Sequence, residues 1–107
     1  MDRIDHIALS VADIASSVAW YRQHFDCAVL YQDATWAMLE FANIKMAMVV
    51  TEQHPPHIAF VSPDAAKWGE LQGHRDGTRS VYVTDPAGNA VEMVEGHPYA
   101  SMGEKDG

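Results

Sequence analysis

His6-Ile7-Ala8-Leu9-Ser10-Val11-Ala12-Asp13 sets a pattern that His57-Ile58-Ala59-Phe60-Val61-Ser62-Pro63-Asp64 repeats. Both stretches place a histidine at the head of an alternating apolar run, and a helix signal follows each. Alternation over Ile4 to Val11 predicts a strand with Ile7, Leu9 and Val11 on its core face. His6, Ala8 and Ser10 then line the other, smaller and more polar face. Asp13 is a helix cap, and Ile14, Val18, Tyr21 and Phe25 recur at helical spacing, so a helix over 14–25 is expected to lie on the sheet.

Outward from these stretches the chain reads as strands. Residues 27–32, 36–41 and 44–50 follow the helix, with a tight turn at Ala42-Asn43. In the last of them Met46 and Met48 share a face with Ile44, opposite Lys45, Ala47 and Val49. Pro55 and Pro56 cannot sit inside a ladder, so residues 51–56 form a connector. A strand over 57–61 leads to Ser62-Pro63, a helix start whose stripe is Ala65, Trp68 and Leu71 and whose end is marked by Gly69 and Gly73. Strands over 79–84 and 90–95 flank the turn Asp85-Pro86-Ala87-Gly88-Asn89. On the last strand Ala90, Glu92 and Val94 share one face. Residues 97–107 read as a loose tail.

The fold class is therefore α+β, one domain over 1–107 built from paired βαβββ modules. The repeat covers 3–50 and 57–96. The second module is shortened, because too few residues separate Leu71 from Arg79, and its second strand is expected to be vestigial or missing.

Composition narrows the function. The chain has 107 residues and a formal charge of -8, which repels nucleic acid and anionic membranes. No apolar run reaches membrane-spanning length, and Met1-Asp2-Arg3 leads directly into a strand, which predicts a cytoplasmic protein. The single Cys27 reads as an apolar filler. Short strands leave sheet edges to be covered, and a homodimer is the expectation.

Chemistry concentrates in His6, His57 and Glu92. Two imidazoles and one carboxylate form a ligand set for a divalent first-row metal with positions left open. A histidine at a strand start is ordinarily a half-exposed residue with a satisfied ring. Glu92 is the stranger residue, since a carboxylate between Val91 and Met93 needs a cation or donors if it is buried. His54 beside the prolines is placed at the mouth of a cavity, and Tyr82, Trp36, Met38, Met46 and Met48 are candidate walls. His24, His74 and His97 rank lower. Asp5 and Asp85 are assigned to a strand start and a turn.

The stretch from Asp5 to Asp13 with Trp20-Tyr21, then His57 to Val61, then Asp85-Pro86-Ala87-Gly88-Asn89-Ala90-Val91-Glu92 resembles the vicinal oxygen chelate superfamily. That superfamily includes glyoxalase I, methylmalonyl-CoA epimerase, extradiol dioxygenases and bleomycin resistance proteins. The resemblance spans roughly residues 3 to 96. It implies a metal held by His6, His57 and Glu92, drawn from Fe(II), Mn, Ni or Zn, and a small substrate bound through neighbouring oxygens. The glyoxalase pattern adds a fourth ligand, whose position falls near Met46 or Met48, so the resemblance implies an open three-ligand site here. Dioxygenase or lyase/isomerase chemistry follows, with Glu92 as base, His54 as its runner-up and Tyr82 beside them. The alternative it implies is a non-catalytic binding protein of the bleomycin-resistance type, with Trp36, Trp68 and Tyr82 around the ligand.

Overall fold

The structure, a computed structural model, describes residues 1–50, 55–74 and 77–96. His54, most of the connector, His97 and the tail lie outside the described residues. Strands β1 (Arg3–Val11), β2 (Ala28–Gln32), β3 (Trp36–Glu40) and β4 (Lys45–Val50) form the first half with helix α1 (Ile14–His24). Strands β5 (His57–Val61), β6 (Gln72–Gly73), β7 (Arg79–Thr84) and β8 (Ala90–Gly96) form the second, with a 3-10 turn at Ala65–Trp68. All eight strands join one sheet in the order β2-β3-β4-β1-β5-β8-β7-β6.

That order carries an internal twofold. β1 runs parallel to β4, β5 runs parallel to β8, and the halves meet where β1 pairs antiparallel with β5. The α+β class, the paired modules and the shortened second module are as the sequence led us to expect. β6 is the vestigial strand, two residues long.

Local chemistry accounts for the elements. Asp13 accepts a hydrogen bond from the Ser16 amide at 2.8 Å and starts α1. Ile14 and Val18 bury against Ala37, Leu39, Met46 and Met48, with Ile7, Leu9 and Val11 packed around them. Phe25 departs from expectation. It is half exposed, because the helix ends at His24 and Phe25 already has extended backbone. Its ring meets Phe41 edge-on at the end of the sheet instead.

The opposite sheet face buries Ala8, Met38, Ala47 and Val49 beneath Leu30, Tyr31 and Trp36. Met46 and Met48 were candidate cavity walls, but both point under α1. Strand alternation settles the point, since Ala47 and Val49 take the other face.

The second helix is replaced by one 3-10 turn. Gly69 ends it with a φ of 154°, and an added Cβ there would stand 3.3 Å from Val81 Cγ1. Trp68 and Ile58 consequently remain exposed on the face that α1 covers in the first half. Among the described residues no helix is long and apolar enough to cross a membrane.

Met48→Ala is expected to cost about 2–5 kcal/mol, because its side chain is wholly buried. Phe25→Ala should cost less than about 1.5 kcal/mol, since half of that residue is in water. Urea denaturation of the two variants checks the difference; equal costs would contradict this account of the first core.

Candidate metal centre

The site is built from one row of residues across five strands. Register pairs Lys45 with His6, His6 with Ala59, Ala59 with Glu92 and Glu92 with Tyr82. Side chains at paired positions share a face, so all five project from the same side of the sheet. Ala59 has no exposed surface. Its methyl group leaves His6 and Glu92 free to meet above it. The neighbouring row contributes His57, paired with Ala8 on one side and Ala90 on the other.

A bulge sets the angle of the first histidine. Ile4 pairs with Phe60 and His6 with Ala59, leaving Asp5 as the extra residue. Asp5 is thereby buried rather than turned outward. Its carboxylate accepts from His6 Nδ1 at 2.7 Å and from Lys45 Nζ at 3.0 Å. His57 Nδ1 donates to the Pro55 carbonyl at 2.8 Å. In both rings the outer nitrogen is occupied by an acceptor, which presents Nε2 to the interior.

Those Nε2 atoms converge on one oxygen. Glu92 Oε1 lies 3.3 Å from His6 Nε2 and 3.0 Å from His57 Nε2, and the two nitrogens are 3.4 Å apart. Among the described residues His6, His57 and Glu92 are the one group of three with metal-ligating atoms within 4.8 Å of one another. Bonds of 2.0–2.2 Å to a first-row ion put adjacent ligand atoms about 3.0–3.5 Å apart, so the observed spacings suit such an ion.

Glu92 is buried yet strongly surrounded. Burial disfavours its charge, but hydrogen bonds from His57, His6 and His74 and the His6 charge outweigh that, holding the carboxyl far below its ordinary range. Burial likewise lowers His6, yet hydrogen bonds to Asp5 and Glu92 and their charges leave its pKa raised. Tyr82 hydrogen-bonds to Glu92, with its ring edge-on to His57 at 5.1 Å between centroids. Burial, the Glu92 charge and that hydrogen bond push the Tyr82 phenol up, so it stays protonated.

The remaining expectations divide. Asp5 does more than open a strand; adjacency to His6 was the available signal, but strand alternation places neighbours on opposite faces and hid the bulge. His74, set aside as a loop residue, has Nε2 3.5 Å from Glu92 Oε2 and 2.7 Å from Ser80 Oγ. Nothing in its sequence context announced this. Trp68 is separated from Trp36 and Tyr82. It lines a cavity of about 350 Å³ with Phe60, Met93 and Lys67, on the other side of the sheet. Trp36 instead stacks on Tyr31 at 4.4 Å, and Asp33 fixes the pair by accepting from the Tyr31 hydroxyl and the Trp36 amide.

The fourth-ligand position also moves. Overlaying His6 on His57 through the repeat sets Ala8 on Ala59 and Ala47 on Glu92. The symmetry mate of the carboxylate is therefore Ala47, one residue from the methionines named above. A one-residue step reverses a strand's face, which is why neither methionine qualifies.

Residues 3–68 match the model of the Glyoxalase/Bleomycin resistance protein/Dioxygenase superfamily. The chain belongs to that superfamily. Solved structures agree on the fold. A variant of Streptomyces coelicolor methylmalonyl-CoA epimerase, in complex with 2-nitronate-propionyl-CoA, has a TM-score of 0.68 at 21% identity over 86% of this chain and 95% of that one. Methylmalonyl-CoA epimerase from Mycobacterium tuberculosis has a TM-score of 0.67 at 16% identity over 94% and 91%. A superfamily member from Vibrio splendidus 12B01 has a TM-score of 0.61 at 11% identity over 88% and 97%. A search of curated proteins finds no match. Superfamily membership is consistent with the grouping of His6, His57 and Glu92 as a possible metal site.

The charge pattern makes a pH prediction. His6 has a raised pKa, so its stabilising contribution is full below about 6.5 and is lost as pH rises through the folded value. Metal-free protein should therefore lose melting temperature as pH rises past the ordinary histidine value of about 6.5, and His6→Gln should flatten that slope. Scanning calorimetry across pH 6 to 9 checks it; an identical slope in the variant would remove His6 as the cause.

Proposed function

We propose that this chain is a metal-dependent enzyme of the vicinal oxygen chelate type, acting on a small substrate bound through two neighbouring oxygens. The observation that carries this reading is the close approach of His6 Nε2, His57 Nε2 and Glu92 Oε1, with alanine at the symmetry-related fourth corner. Three protein ligands leave room for two substrate oxygens and one further group. Fe(II), Mn, Ni and Zn all suit two imidazoles and a carboxylate.

A bound divalent ion supplies Lewis acidity toward the oxygens of the substrate. The protein's own part is orientation. Asp5 and the Pro55 carbonyl hold the two rings with Nε2 inward, and Ala59 keeps the floor low. Tyr82, kept protonated, directs its one hydroxyl proton at Glu92, and turning that donor from Glu92 to a substrate oxygen would serve an oxygen that gains negative charge. Glu92 is held ionised by its neighbours, which suits a ligand; as a base it would first have to leave the metal. His54, next to Pro55, is the second candidate base. Dioxygenase and lyase/isomerase chemistry both fit this arrangement.

The second reading is a non-catalytic binding protein of the bleomycin-resistance type, and the Asp33-fixed Tyr31–Trp36 stack favours it as a platform for a flat ligand. Its binding would survive chelation and Glu92→Ala. A homodimer belongs to either reading, since exposed Ile58 and Trp68 and the β2 edge invite cover.

Calorimetric titration of metal-free protein with each of the four ions should show one equivalent bound. His6→Ala should weaken it by more than the about 10–100-fold that loss of an outer hydrogen-bond partner costs. A protein that binds none of them sinks the metal reading. Oxygen uptake with catechols under Fe(II) then separates dioxygenase from lyase/isomerase chemistry, where hemithioacetal turnover without uptake is the contrary result.

A further inference from the structure

Resting on the metal reading above, we infer that Lys45 is a positioning residue which, acting through Asp5, fixes the His6 ring at the metal centre. The two oxygens of the Asp5 carboxylate have different partners. Oδ2 accepts from His6 Nδ1 at 2.7 Å, and Oδ1 forms an ion pair with Lys45 Nζ at 3.0 Å. The pair is closed off from water, with 1% of the Asp5 side chain and 15% of the Lys45 side chain exposed. β1 and β4 run parallel with Lys45 level with His6, so the lysine reaches Asp5 from the next strand. A carboxylate on the extra residue of a bulge can turn about its own side-chain bonds. Donors on both of its oxygens remove that freedom, and a fixed acceptor in turn fixes the ring that donates to it.

The second histidine shows what the pair adds. His57 Nδ1 donates to the Pro55 carbonyl at 2.8 Å, a main-chain acceptor whose place the chain itself sets. Overlaying His6 on His57 puts Pro56 where Asp5 stands and Ala90 where Lys45 stands. The first half thus uses a side chain where the second uses backbone, and a side chain needs a further anchor. Charge alone would argue against a lysine here, because an ammonium near a cation site repels the ion. Its hold on Asp5 accounts for its presence. Lys45 touches neither ion nor substrate in this role.

The test uses the full chain with 15N-labelled histidine, Zn(II) alone as probe, and the variants Lys45→Met, Lys45→Arg and Asp5→Asn. Imidazole N–H protons exchange with water too fast to be seen in proton NMR unless a hydrogen bond shields them. Metal-free protein should show the Nδ1 protons of both His6 and His57, with His6→Gln assigning the first. Lys45→Met should abolish the His6 resonance, keep that of His57, and bind Zn(II) about 10-fold more weakly by calorimetric titration. Lys45→Arg, which keeps the charge and a donor, should restore both. Should Lys45→Met fail to fold, Asp5→Asn with and without Lys45→Met decides, since the double variant leaves neither member of the pair buried alone. Equal Zn(II) affinities are expected there, and a further loss on removing the lysine is contrary. Unchanged or tighter Zn(II) binding by Lys45→Met, an intact His6 resonance, or loss of both resonances overturns the inference and leaves the three proposed ligands in place. Absence of Zn(II) binding by the unaltered protein overturns it together with the metal reading.

Discussion

A carboxylate with 4% of its surface exposed has to be neutralised, and the structure of this protein is arranged around doing so for Glu92. Three imidazoles and a phenol surround it, drawn from β1, β5, β7 and the β6–β7 hairpin. An apolar residue at this position would hold β8 in the sheet with less cost. The polar cluster is a stability expense that makes sense as a site, where like functions commonly sit against the grain of the fold.

What permits the cluster is small residues in register. His6 and Glu92 lie on strands separated by β5, and they meet because Ala59 stands between them. Ala8, Ala47 and Ala90 perform the same service around His57 and toward the first half. A sheet face floored with alanine between two walls can hold converging long side chains. The bulge at Asp5 adds the one irregularity needed to bring a carboxylate beneath the His6 ring, and Lys45 then balances its charge.

The two halves of the repeat have diverged along lines the packing explains. The first keeps a full helix, with Ile14 and Val18 closing its core, and its β4 carries Ala47 where β8 carries Glu92. The second has a single 3-10 turn where the first has α1, and it carries the carboxylate. The half that carries the charged group also supplies its extra neighbours, His74 and Tyr82. Pseudo-symmetry thus accounts for the grouping: two histidines from equivalent positions and one carboxylate whose symmetry mate is Ala47.

Much of this was legible in the residues themselves. The paired grammar at His6 and His57 announced two modules, alternation placed Glu92 opposite Val91 and Met93, and the short span from Leu71 to Arg79 announced a truncated β6. The same alternation, applied to β4 with strict register, already separated Met46 and Met48 from Ala47, and only the alignment to the wider superfamily pattern slipped by a residue. Helical periodicity puts Phe25 on the buried stripe but says nothing about where a helix stops, and α1 ends one residue before it. Asp5, Lys45 and His74 stayed hidden for a different reason. Periodicity and residue type are local properties, and they determined the strands, their inward faces and the three residues proposed as ligands. The bulge, the lateral strand order and the hairpin that carries His74 to Glu92 depend on contacts between residues distant in the chain, which the tertiary structure alone decides.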